Sequence, residues 1–282
     1  MEHQQTIRKE VTFSGRALQT GRKTSVRCRP AGEDEGINFI RVDAPGKPSL
    51  RVGPELLSAE HRRRTTLGMG KVQVQTVEHF LAALWGLGID NILVEIDGVE
   101  LPALDGSALG FMRELKKAGV SQQAKERRQV FISEPLELEA DGGRIAAYPG
   151  EGLEVSYSID YPVACIKNGK FTLTLDGKKF EQEIAPARTF CLFSRALLLF
   201  ISGLGRGANF RNTLVLGNRG PFGTQFRFPD EPVRHKVLDI VGDLYMLGRR
   251  VNGKIIAEKS GHTLNAKLVR EIARRYGNEI KI

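Results

Sequence analysis

The sequence predicts an α+β protein built from two similar domains, each a small sheet with helices on one face. Three observations carry this prediction. A helix-then-strand plan occurs twice, as "VEHFLAALWGLGIDNILVEIDG" (77–98) and "VRHKVLDIVGDLYMLGRRVNGKIIAE" (233–258). Each copy has a His in the same place, a helical apolar period, a Gly-containing stop and a β-branched strand. Each is followed by a Gly turn and a basic amphipathic helix, "LDGSALGFMRELKKAG" (104–119) and "SGHTLNAKLVREIARRYG" (260–277).

The elements follow in chain order. The first half opens on the alternating segments "TIRKEVTF" and "TSVRCRP", the second on "VFISEPLELE" and "LEVSYSIDY". Ahead of the first His-bearing helix stands "RRTTLG" (63–68), matched in the second half by "ARTFCL" (187–192). The polar stretch "VSQQAKERRQ" (120–129) reads as a linker, giving a first domain over 1–122 and a second over 123–282. Packing helix layer to helix layer, with the active site between the domains, brings the two His-bearing helices together.

Composition bounds the function. The chain has 282 residues, 41% hydrophobic and 27% charged, enough to bury a core. No apolar run reaches the length of a membrane span. The start "MEHQQTIRKEVTF" lacks the apolar centre of a signal peptide. Cys28, Cys165 and Cys191 are dispersed, which argues for a reducing compartment. A cytoplasmic monomer is expected. The net charge of +9 gathers at 61–64, 125–128 and 248–250. These clusters are spread out and have no interleaved aromatics, against nucleic acid. A small anionic substrate, peripheral contact with an anionic membrane surface, or plain solvated faces all fit the charge.

His235 and Asp239 lie four residues apart, on one face of a helix. Such a pair is a surface hydrogen bond or two arms of a metal site, and Asp243, four further on, has Lys236 as an ordinary partner. The repeat supplies a third arm, because His79 takes the place of His235. His79, His235 and Asp239 then make a hydrolytic Zn2+ site with one position left for water. Glu78 adjoins a ligand and suits a general base for that water. His262, behind a Gly in "SGHTLN", is a second acid–base candidate. Three of the five histidines fall in repeat-matched motifs. His3 sits in a terminus expected to be mobile, and His61 in a basic cluster.

The stretches "TVEHFLAAL", "LPALDGSA", "ARTF", "NTLVLG", "VRHKVLDIVGDLYMLG" and "SGHTLNAKL" together resemble the UDP-3-O-acyl-N-acetylglucosamine deacetylases, zinc enzymes of lipid A synthesis. The resemblance runs over nearly the whole chain, in order. It implies His79, His235 and Asp239 as zinc ligands, Glu78 as base and His262 as the acid that protonates the departing amine. It implies that Thr189 polarises the acetyl oxygen, and that Lys236 and Asp243 tune His262 and bind substrate. It places Tyr161 near the uracil and Arg144 near the diphosphate. The chain departs from the family at Gln19, where His is usual, and at Arg64, where Cys or Ser is common.

The run "CLFSRALLLFISGLGRGANF" (191–210) reads as a core helix or as the segment that, by the resemblance, encloses the substrate's acyl chain. In the second reading Leu197, Leu198, Phe200 and Ile201 form an apolar wall. The predicted activity is hydrolysis of the N-acetyl group of UDP-3-O-(3-hydroxyacyl)-N-acetylglucosamine. The alternative is a non-catalytic homologue that binds a nucleotide-sugar or acyl ligand.

Overall fold

The computed structural model describes residues 2–58 and 63–277. The duplication extends to strand topology. In the first half, Val11–Arg16, Lys23–Pro30, Ile37–Arg41, Ser49–Arg51 and Ile92–Ile96 form one sheet. In the second, Leu136–Ala140, Gly143–Tyr148, Leu153–Ile159, Gly169–Leu175 and Arg250–Glu258 form another. Both run in the order first, second, fifth, third, fourth. In both, the fifth strand pairs antiparallel with the second and parallel with the third. Gln129–Phe131 adds a short parallel pairing to Arg250–Glu258.

Alternation assigns the faces. Thr24, Val26 and Cys28 are buried, while Lys23 and Arg27 are exposed. In the matching last strand Val251, Ile255 and Ala257 point inward, and Lys254, Ile256 and Glu258 outward.

The α-helices among the described residues are α1 (Glu78–Leu87), α2 (Ala108–Ala118), the single turn α3 (Gly177–Lys179), α4 (Phe193–Ile201), α5 (Glu231–Leu244) and α6 (His262–Tyr276). Helices α2 and α6 are amphipathic. Phe111, Met112 and Leu115 in one, and Leu264, Leu268, Val269 and Ile272 in the other, face the core. Helix α1 is buried from Glu78 to Trp85, and α5 is buried at every position except Arg234. Burial on all sides means that these two helices lie against each other between the sheets.

Their contact is backbone-close at Gly242. A Cβ built there would lie 2.0 Å from the Glu78 carbonyl oxygen. Gly242→Ala should therefore push α5 off α1, costing about 1–3 kcal/mol, the range for overpacking a core. A drop in Tm of several degrees, with activity lost beyond what unfolding explains, is the expected result. An unchanged melt would mean the helices slide apart freely.

Two expectations need correction. The stretch read as a linker is a strand, Val120–Glu126, paired antiparallel with His3–Ile7. Its polar side chains are structural, since the Asn91 amide donates to Gln123 (2.7 Å) and Gln4 donates to the Glu126 carbonyl (3.1 Å). His3 is likewise held in this ribbon, its Nδ1 3.0 Å from the Ala124 carbonyl oxygen.

Candidate active site

Two helix starts and one helix face converge between the two halves. The first turn of α1 presents Glu78 and His79, α5 presents His235 and Asp239, and α6 begins with His262. All five are buried or nearly so. Asp239 Oδ1 lies 3.3 Å from His235 Nε2 and 3.7 Å from His79 Nε2. One ligand atom from each residue falls within 4.8 Å of the others.

The donor set fits a metal cation. Asp239 Oδ1 is fully buried and has no hydrogen-bond partner, an arrangement that costs free energy unless something else satisfies the oxygen. Its other oxygen accepts from Lys236 Nζ at 2.7 Å. Burial raises the Asp239 carboxyl pKa, but Lys236 and His235 outweigh that and hold it below the usual carboxylate range. Burial, reinforced by His235, drives the His79 imidazole down to about 3, so it is neutral with a free lone pair. Burial also lowers His235. His235 Nδ1 faces the Ala187 carbonyl at 3.0 Å. A carbonyl only accepts, so the proton sits on Nδ1 and the lone pair on Nε2, towards Asp239.

A second group adjoins the first. His262 Nδ1 donates to Asp243 Oδ2 at 2.9 Å, while His262 Nε2 lies 3.9 Å from Glu78 Oε1. Burial opposes the imidazolium, but Asp243 and Asp239 outweigh it and raise His262 to about 9. Burial raises Glu78 to about 7, with Asp243 and Asp239 adding and His262 opposing. A base and an acid with such separated affinities suit proton transfer in both directions near neutrality.

These groups open into a cavity of about 820 Å³, the size of a small-molecule site. Thr189, Tyr161, Lys236 and His262 line it with the metal-site residues. Thr189 is fixed by its backbone, its N–H donating to Gly106 O and its carbonyl accepting from Leu214 N. Gly106 is needed at that approach, because φ is +78° and a Cβ would strike the Asn212 carbonyl. Tyr161 stands edge-on to Phe190, ring centres 5.7 Å apart.

Asp243 does not reach the cavity wall but holds His262 from behind. Lys236 pairs with Asp239 rather than with Asp243. Arg144 is not brought to the site. Its strand turns Ile145 and Ala147 inward and Arg144 outward, where it pairs with Glu137 at 2.5 Å. Phe200 lines the cavity, but Leu198 does not. The lining positions follow an i, i+1, i+4, i+5 spacing, a stripe along one side of the helix that Leu198 falls outside. The lining row of α4 is Arg195, Ala196, Leu199 and Phe200, which leaves Leu197, Leu198 and Ile201 outside. His61 lies outside the described residues.

Two contributors were not anticipated. The Thr65 hydroxyl donates to Asp243 Oδ1, and its backbone N–H donates to Glu78 Oε2 at 3.0 Å. Asn265 Nδ2 donates to Asp243 Oδ2 at 2.8 Å. Both had a signal. Thr65 sits in a repeat-matched motif, and Asn265 follows His262 at i+3 on one helix face.

The family model described as UDP-3-O-acyl N-acetylglycosamine deacetylase matches residues 4–274. The chain belongs to this deacetylase family. Among the family's curated members it is 39% identical to the UDP-3-O-acyl-N-acetylglucosamine deacetylase of Phenylobacterium zucineum, over 96% of this chain and 94% of that one. It is 38% identical to the enzyme of the same name from Anaeromyxobacter sp., covering 96% and 88%. It is 38% identical to that from Nostoc sp., covering 95% and 98%. Like its family, this chain is an enzyme. Its departures from the family pattern leave the buried centre intact. Gln19 ties two loops together, its N–H donating to Glu100 Oε1 (2.8 Å) and its side-chain oxygen accepting from Gly205 N (3.0 Å). Nothing in the structure explains Arg64, whose buried Nη1 has no hydrogen-bond partner.

Proposed function

We propose that this chain hydrolyses the N-acetyl group of UDP-3-O-(3-hydroxyacyl)-N-acetylglucosamine, releasing acetate, as a zinc enzyme of lipid A synthesis. The family supports the reaction, and the orphaned Asp239 Oδ1 between two neutral imidazoles supports the metal. In this reading residues 1–122 and 123–282 act as two domains, monomeric and cytoplasmic, with the site between them.

His79, His235 and Asp239 would hold the Zn2+. A zinc ion there polarises a carbonyl and acidifies water near neutral pH. The chain's own residues do the rest. Glu78, ionised, takes a proton from the attacking water as the new C–O bond forms at the acetyl carbon. Thr189, lining the cavity, donates its hydroxyl to the oxygen on which negative charge develops. His262, protonated and fixed at Nδ1 by Asp243, gives a proton to the amine nitrogen as the C–N bond breaks. Asp243 thus acts as a positioning residue. Lys236 keeps Asp239 ionised, and Tyr161 offers its ring to the nucleotide base.

The test combines acetate release from the acylated substrate with metal analysis of the purified protein. No acetate from a zinc-loaded protein that still binds the substrate would favour the non-catalytic reading.

The apolar lining of α4 carries a further expectation. Leu199→Asp should lower kcat/KM for acylated substrate about tenfold to hundredfold, since each methylene kept from water contributes about 0.8 kcal/mol. UDP-N-acetylglucosamine, which has no acyl chain, should be affected far less. Leu197→Asp, on the outer face, should leave the ratio unchanged. Equal losses on both substrates in Leu199→Asp would remove the acyl chain from this wall.

A further inference from the structure

Helix α4 is apolar on two sides and none of its nine residues is buried. Its inner row lines the cavity. Its outer row, Phe193, Leu197, Leu198 and Ile201, is between 60% and 72% exposed. Phe222 extends this face, its ring 4.8 Å from that of Phe193. Five of the ten large apolar side chains that the described residues expose, Phe193, Leu197, Leu198, Ile201 and Phe222, belong to this face, so the exposure is concentrated and not scattered. A helix apolar all round belongs in a core or against lipid. No helix among the described residues is long and apolar enough to cross a membrane, and a short helix with an exposed apolar face suits lying on a membrane surface.

Charge says what covers the patch. Residues 184–229 contain six arginines and no Asp or Glu. Arg188 and Arg227 are ion-paired with Glu231 and Asp105. Arg195, Arg206, Arg211 and Arg219 are exposed and form no ion pair with a described carboxylate. Elsewhere many surface arginines are partnered, as Arg27, Arg144, Arg274 and Arg275 are. An apolar face carried by a segment whose charged side chains are all cationic is complementary to a surface with an apolar interior and anionic headgroups.

We propose that the outer face of α4, with Phe222, is an interfacial docking element that seats the protein on an anionic phospholipid bilayer. The inner side of the same helix lines the cavity, so docking sets the apolar cavity wall one helix away from the acyl region. This docking does not depend on the deacetylase reading, and an inactive protein should still show it.

The experiment is cosedimentation of the full chain with vesicles of one part phosphatidylglycerol to three of phosphatidylcholine, at low salt. The wild type should partition onto them and should not bind vesicles of phosphatidylcholine alone. Leu197→Asp/Ile201→Asp should weaken partitioning roughly 10²-fold, because carboxylates replace side chains that enter lipid. Arg211→Gln/Arg219→Gln, or high salt, should reduce it to the level on neutral vesicles. Leu197→Gln/Ile201→Gln, melting at the wild-type temperature, separates lost docking from lost folding and should also bind poorly. Wild-type protein left in the supernatant, or bound equally to neutral vesicles, overturns the proposal. A concentration-dependent dimer abolished by Leu197→Asp/Ile201→Asp would place a second copy on this face and overturn it too.

Discussion

His235→Ala is expected to leave the purified protein without stoichiometric zinc and to lower acetate release by roughly 10³-fold or more. The size follows from what is lost. A metal at a polarised carbonyl contributes several kcal/mol, and about 4 kcal/mol is a thousandfold in rate. The ligand set is small, three donors around one point, and Asp239 Oδ1 has no other partner. Chelating the metal from the wild type should lower Tm by several degrees, because a ligand that binds only the folded state stabilises it by mass action. His79→Ala and Asp239→Ala should behave alike, since each supplies one of the three donors. The decisive measurement is metal content by emission spectroscopy beside the melt. Full zinc occupancy in a well-folded His235→Ala would end the assignment.

The duplicated plan was legible because each copy holds helix period, stop and strand within about 26 residues, all local signals. The strand order first, second, fifth, third, fourth was not, since it is set by pairing between residues far apart in the chain. Local polarity misled at 120–129, where Gln and Asn side chains satisfy each other in a ribbon instead of facing water alone. The unbroken apolar run 196–201 identified α4 as an apolar helix but gave no phase, so Leu198 was placed on the lining and Leu199 was missed. Arg144 was named from the resemblance alone, and its outward face on the strand follows from parity that the resemblance did not use. The buried centre was readable because its residue types recur at repeat-matched positions. The contacts of Thr65 were not, because they join three segments that only the fold brings together.

The acid–base pair should show itself in the pH profile. With Glu78 raised to about 7 and His262 raised to about 9, kcat/KM should rise as Glu78 loses its proton and fall as His262 loses its own. Catalysis needs Glu78 charged and His262 charged, so the maximum lies between those values. Glu78→Gln should cost about 10²–10⁴ in turnover and remove the acid limb, the usual contribution of a positioned base. His262→Gln should cost a similar factor and remove the alkaline limb. Zinc content should stay high in both, which separates proton transfer from metal binding. Asp243→Asn tests positioning. Asp243 favours the imidazolium through its charge and its hydrogen bond, so neutralising it should move the alkaline limb to lower pH. A merely structural Asp243 would lower activity at every pH and leave that limb in place. Thr65→Val should weaken the same support, since its hydroxyl donates to Asp243 Oδ1, while its backbone N–H still reaches Glu78. A Glu78→Gln enzyme with the wild-type rate and an intact acid limb would require the base to be another group.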